Sequence, residues 1–135
     1  MACGSEVHVK SKYVMLKSFL LVGIGGMVGS MLRYLFAVII KPQSFPYATL
    51  SVNIVGCLVI GIVMGFVLKN EALNQNWKLF LATGICGGFT TFSAFSLECI
   101  QFIEQQRYAA MLGYIALSIV LGLAATFAGI QLTRI

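Results

Sequence analysis

Four apolar stretches, each long enough to cross a bilayer as a helix, govern what this chain can fold into. They run from about Met15 to Ile40, Tyr47 to Leu68, Trp77 to Ile103 and Ala109 to Leu132. A helix needs roughly 20 residues to traverse the hydrocarbon core, and every stretch reaches that length. Only 10% of the residues are charged, against about 25% in an ordinary soluble domain, too few to cover a water-facing surface. The links KPQSFP, KNEALNQN and EQQRY are short, so neighbouring helices run antiparallel and both termini lie on one side. Pro42 and Pro46 bracket the first link and stop helix propagation. The expected fold is therefore an all-α integral membrane protein with four transmembrane helices. Residues 1–14 form a polar N-terminal tail, and residues 15–135 form the membrane domain. No small-residue cleavage site follows the first apolar segment, so it is expected to stay as a span.

The net charge of +5 does not point to nucleic acid, because the basic residues are scattered singly rather than gathered into a stripe. Of the cysteines, Cys57, Cys86 and Cys99 lie in apolar segments, where cysteine acts as a small hydrophobe. Cys3 lies in the tail, and no C-x-x-C pair exists, so neither a disulfide framework nor a zinc site is expected. The terminal side carries Lys17, Lys69, Lys78 and Arg134. The opposite side carries Lys41 and Arg107, with Arg33 near it. This leans only slightly toward termini inside and leaves both orientations open. The chain has no internal repeat. Transporters are often built from inverted repeats, and a chain this short can reach the same symmetry by pairing with an inverted copy of itself.

Polar residues within the spans are few: Arg33, Asn53, Thr83, Thr90, Thr91, Ser93, Ser96, Glu98, Ser118 and Thr126. A charge or amide in hydrocarbon is costly and marks a site by default, whereas an isolated Ser or Thr can bond its own helix. Asn53, in the middle of the second span, cannot reach water, and its amide requires partners. The only histidine, His8, is in the tail, and Glu98 is the only carboxylate within a span. With no carboxylate pair, metal-ligand cluster or Ser–His arrangement, the chain is not expected to be an enzyme.

The stretch GICGGFTTFSAF, Gly84 to Phe95, interrupts the third apolar run. Gly84, Gly87 and Gly88 weaken the helix there, and broken backbone at membrane depth is tolerated where it lines a cavity or is buried in protein. A break frees carbonyls able to ligate a hard cation. Phe92 and Phe95 stand three apart on one helical face, and the positive edges of their rings favour an anion. Together these features read as a narrow anion pathway beside a structural cation, although each Phe taken alone reads more readily as packing. The Gly25/Gly29, Gly61/Gly65 and Gly84/Gly88 pairs read as close helix contacts.

Three segments, GGMVGSMLRY (Gly25–Tyr34), SVNIVG (Ser51–Gly56) and GICGGFTTFSAF (Gly84–Phe95), resemble in order and spacing the Fluc/CrcB fluoride channels. The likeness covers residues 15 to 135. The resemblance implies an antiparallel, dual-topology homodimer with two fluoride pores in a microbial inner membrane, passively releasing toxic fluoride. It implies that Asn53, Phe92 and Phe95 line the fluoride path, that Thr49, Tyr114 and Ser118 extend it as a polar track, and that Arg33 attracts the anion at the mouth. It further implies a central Na⁺ held by backbone carbonyls of Gly87 and Thr90 from both subunits. Ser30 and Ala94 depart from the family's commoner residues, but neither is among those assigned to the pore. A small multidrug exporter of similar length would need a deep glutamate in the first span, and Phe19 to Ile40 contains none. A membrane assembly factor would account for the glycines but not for Asn53 or the broken span.

Overall fold

The computed structural model describes residues 3–41, 44–69 and 75–134. Helix α1 spans Cys3–Ile39 and α2 spans Tyr47–Lys69. The third apolar run is built in pieces: α3 (Gln75–Lys78), a π-helical segment (Leu79–Cys86), α4 (Gly87–Phe89) and α5 (Phe92–Glu104). Helix α6 spans Tyr108–Leu132. Four helical stretches are long and apolar enough to cross a membrane: Lys12–Ile39, Tyr47–Leu68, Gln75–Glu104 and Tyr108–Leu132. The boundary expected at residue 14 is not marked in the backbone, because α1 is helical from Cys3 onward. Pro42, expected to stop the first helix, lies outside the described residues, as do Met1, Ala2 and Glu71. Pro46 stands immediately before α2, where its carbonyl accepts the Leu50 N–H at 3.1 Å. A proline there leaves no helical donor unmet.

The closest helix pairs are not neighbours in sequence. Helix α1 lies against the π-helical segment and α4, while α2 lies against α6. Both are parallel pairs, since alternating spans point the same way. The glycine pairs make the contact. A methyl group added at Gly25 would meet the Cα of Gly84 at 2.9 Å, and one at Gly29 would meet the Phe89 nitrogen at 2.8 Å. On the other pair, a methyl at Gly61 would meet the Thr126 Cα at 3.0 Å, and one at Gly129 the Ile62 nitrogen at 2.8 Å. In lipid, helices gain nothing from hiding apolar surface from each other, so close van der Waals approach through small residues drives their association.

One end of the bundle carries a compact core of Leu50, Cys99, Phe102 and Tyr114, flanked by Phe45, Ile54 and Phe95. The Phe45 ring meets Tyr114 edge-on, with centroids 5.4 Å apart and planes at 81°. Elsewhere large apolar side chains face outward, among them Leu112, Val120, Leu123 and Phe127 on α6. Such a surface suits lipid or an apolar partner.

The backbone contact at Gly88 tests this arrangement, since an added methyl would stand 2.9 Å from the Gly26 Cα with no flexible side chain to yield. Gly88→Ala is expected to destabilise the protein by about 1–3 kcal/mol through overpacking. Gly113→Ala, where an added methyl meets nothing within 4 Å, is expected to be neutral or mildly stabilising. Thermal unfolding in detergent checks both.

Candidate functional site

The third span breaks at two threonines. Thr90 (φ −74°, ψ 156°) and Thr91 (φ −149°, ψ 115°) are extended, whereas Gly87 keeps helical angles of −63° and −37°. The sequence points to a break at the glycines, but the structure puts it three residues later. Gly84 and Gly88 serve the close approach to α1, and the break has a different cause. The Asn53 side chain, reaching across from α2, takes both backbone groups of Thr91. Its Oδ1 accepts the Thr91 N–H at 2.8 Å, and its Nδ2 donates to the Thr91 carbonyl at 3.2 Å. An amide offers this donor–acceptor pair, and at membrane depth there is no water to do so instead. The Thr91 hydroxyl then caps α5 by accepting the Ala94 N–H at 3.2 Å, the ordinary N-cap role of threonine. It also shares a hydrogen bond with Ser93 at 3.2 Å. Thr90 turns its hydroxyl back to the Cys86 carbonyl at 2.9 Å.

These bonds divert two helical donors. In an unbroken helix the Thr91 N–H would serve Gly87 and the Ala94 N–H would serve Thr90. Here the first goes to Asn53 and the second to the Thr91 hydroxyl. The carbonyls of Gly87 and Thr90 therefore lose their helical partners.

Around the break lies a cavity of about 420 Å³, lined by Asn53, Gly87, Thr90, Phe92, Phe95 and Ser118 with neighbouring apolar residues. Six of the nine residues singled out from the sequence thus converge on one space. Phe92 is 78% exposed at its rim, with its ring centroid 5.7 Å from that of Phe95. Phe95 in turn lies 5.1 Å from the Tyr114 ring. The Ser118 hydroxyl is buried without a hydrogen-bond partner among the described residues. An unpaired buried hydroxyl is costly, and here it belongs to a residue that lines the cavity.

The remaining sequence-predicted residues lie elsewhere. Tyr114, 0% exposed, sits between this cavity and a second one of about 360 Å³ toward the α1–α2 link. Thr49 lines that outer cavity, and Arg33 lines neither. What the sequence reading leaves without a role is Glu98. Its Oε1 accepts the Thr49 hydroxyl at 2.5 Å and its Oε2 accepts the Tyr114 hydroxyl at 2.6 Å. Both distances suit charge-assisted O–H···O bonds, which offset the cost of a carboxylate within a span. The signal was available: Glu98 is the only carboxylate within an apolar run. Its partners stand 49 and 16 residues away, so only the fold could join them. Ring to ring and then hydroxyl to carboxylate, a continuous line runs Phe92, Phe95, Tyr114, Glu98, Thr49 between the two cavities.

The fold and this line of residues define a multi-pass membrane protein with a largely apolar cavity at a helix break. A family model described as CrcB-like protein, Camphor Resistance (CrcB), matches residues 20–130. A protein of Azobacteroides pseudotrichonymphae named fluoride-specific ion channel FluC is 46% identical over 123 residues, covering 89% of this chain and 98% of that relative. A protein of the same name from Flavobacterium psychrophilum is 43% identical over 122 residues, covering 88% and 98%. Fluoride-specific ion channel FluC 1 of Listeria innocua is 40% identical over 121 residues, covering 87% and 98%. The chain belongs to the CrcB family, a family of ion channels rather than enzymes.

Removing the Asn53 amide tests what holds the break. Asn53→Ala leaves both Thr91 backbone groups without their partner, with an expected loss of about 1–3 kcal/mol. Asn53→Asp keeps the acceptor for Thr91 N–H but sets a carboxylate oxygen against the Thr91 carbonyl, so it is expected to be no more stable than the alanine variant. Thermal unfolding of both variants measures this.

Proposed function

We propose that this chain is a fluoride-selective channel that passively releases fluoride across the cytoplasmic membrane and so relieves its toxicity. The observation that carries the reading is the Ser118 hydroxyl, unpartnered among the described residues, in the wall of the cavity that also holds Phe92 and Phe95. A small anion that is a strong acceptor meets that hydroxyl's need. The remaining Asn53 N–H and the positive ring edges add to its surroundings. An anion entering from the outer cavity meets Thr49 and Tyr114 beside it, whose hydroxyl hydrogens are donated to Glu98, so the free donors lie further in, at Ser118 and Asn53. The apolar rings exclude water, so only an ion that trades its hydration shell for close donors is well served. Chloride, larger and a weaker acceptor, fits such a path less well.

The working unit is an antiparallel homodimer of dual topology, with one pore associated with each subunit, in the inner membrane of a microbial cell. The outward-facing apolar side chains and the exposed Phe92 ring support burial against a second copy. Pairing of inverted copies would bring two helix breaks together. Na⁺ is a hard ion bound by oxygen. The donor set fits it, since Gly87 and Thr90 are among the carbonyls that lose helical donors at the break. Bound there, Na⁺ would supply a fixed positive charge and tie the two breaks to each other. Arg33, which lines neither cavity, acts only at a distance through its charge.

Efflux from proteoliposomes, followed with a fluoride electrode and compared with chloride, decides the function. Rapid fluoride loss with chloride retained is expected. Loss of neither ion from dimeric protein would reject it. Phe92→Ile, which removes a ring edge but keeps an apolar side chain, is expected to cut fluoride efflux by at least about tenfold, equivalent to about 1.4 kcal/mol of barrier, with the dimer intact on size exclusion. Undiminished efflux would make the ring a packing residue.

A further inference from the structure

Gln106 is the one non-glycine residue with a left-handed φ, 57°, among the described residues. It ends α5. Its N–H bonds the Ile103 carbonyl at 2.9 Å, and the next N–H, that of Arg107, bonds the Phe102 carbonyl at 2.8 Å. This pair of bonds is the Schellman ending, in which glycine usually takes the left-handed position. In that ending the residue after the turn often folds an apolar group back onto the last helical turn. Here the Arg107 guanidinium does so, lying over the Phe102 ring with 5.0 Å to its centroid.

The same guanidinium crosses to the other link at this end of the bundle. Its Nη1 donates to the Ser44 carbonyl at 2.6 Å and lies 3.5 Å from Gln105 Oε1. Ser44 is five residues before Thr49, whose hydroxyl holds Glu98. Lys41, Glu98 and Arg107 are the charged residues among those lining the outer cavity, two cations against one carboxylate. A turn in the left-handed region, a stacked ring and a backbone carbonyl thus fix one permanent cation in the cavity wall. With Nη1 engaged, the fork still carries donors on Nε and Nη2.

We propose that Arg107 is the residue that admits the anion to the outer cavity, held at its mouth by the Gln106 turn, the Phe102 ring and the Ser44 carbonyl. This rests on the fluoride-channel reading above. A cation at a cavity mouth raises the local concentration of anions and speeds their arrival, an effect that salt screens. Glu98, the carboxylate in the same cavity wall, accepts two hydroxyls, and the remaining donors of the Arg107 fork are those a mobile anion would meet.

The test compares the unchanged protein with Arg107→Gln and Arg107→Lys in proteoliposomes, measuring fluoride efflux at about 10 mM and about 1 M ionic strength, where screening lengths are about 30 Å and 3 Å. Size exclusion first establishes that each variant is folded. Arg107→Gln is expected to slow efflux by about threefold or more at low salt, with the deficit closing at high salt, while Arg107→Lys stays within about twofold of the unchanged protein throughout. Efflux of Arg107→Gln equal to that of the unchanged protein at both salts, or slowed equally at both, overturns the role. A misfolded Arg107→Gln leaves Arg107→Lys to decide, since loss of the salt dependence on keeping the charge would also overturn it. If the unchanged protein passes no fluoride, the channel reading itself falls, an outcome distinct from a conducting protein indifferent to Arg107.

Discussion

The Asn53 amide holding the Thr91 backbone is the contact on which the rest of this structure depends. A helix interrupted within a membrane must find partners for the groups it releases, and they cannot be water. One side chain meets both needs at Thr91. It thereby fixes where α4 ends and α5 begins, and so the height at which Phe92 and Phe95 stand. It also joins α2 to the third span at mid-depth, so the break is held by a neighbour rather than by its own sequence.

That contact works only because the flanking helices are held close. The glycine faces bring α1 against the π-helical segment and α4, and α2 against α6. In the first pair backbone meets backbone, leaving no slack for the broken span to slide along α1. The wide turns of the π-helical segment lie in this contact, and such turns frequently accompany functional sites. Rigidity comes from α1, and the irregular backbone faces the cavity.

The spans were legible because hydropathy over 20 residues is a bulk property that no tertiary contact overrides. The interruption was legible too, as an unusual mixture of glycine, hydroxyl and aromatic residues in Gly84–Phe95. Its position was not. Glycine serves both a flexible backbone and a close approach, and sequence does not say which; here the glycines are helical and the extended residues are threonines. Asn53, Phe92, Phe95 and Ser118, far apart in the sequence, line one cavity. The joining of Thr49 and Tyr114 by Glu98 does not follow from any local pattern, because the three come from different helices. The Arg107 turn was equally hidden, since glutamine gives no hint of a left-handed backbone.

Most polar groups near the passage are already committed. The Thr90, Thr91 and Ser93 hydroxyls bond within the break, Ser96 bonds the Phe92 carbonyl, and Thr49 and Tyr114 bond Glu98. A passage lined with many free donors would hold any anion tightly and release it slowly. Among the described residues the one buried side-chain hydroxyl without a partner is that of Ser118, and a site with so few free donors would hold an anion weakly, which is what throughput requires. Sparse donors also favour the ion that approaches them most closely. In the channel proposed above, selectivity for a small, strongly accepting anion would come from how few polar groups the fold leaves unpaired.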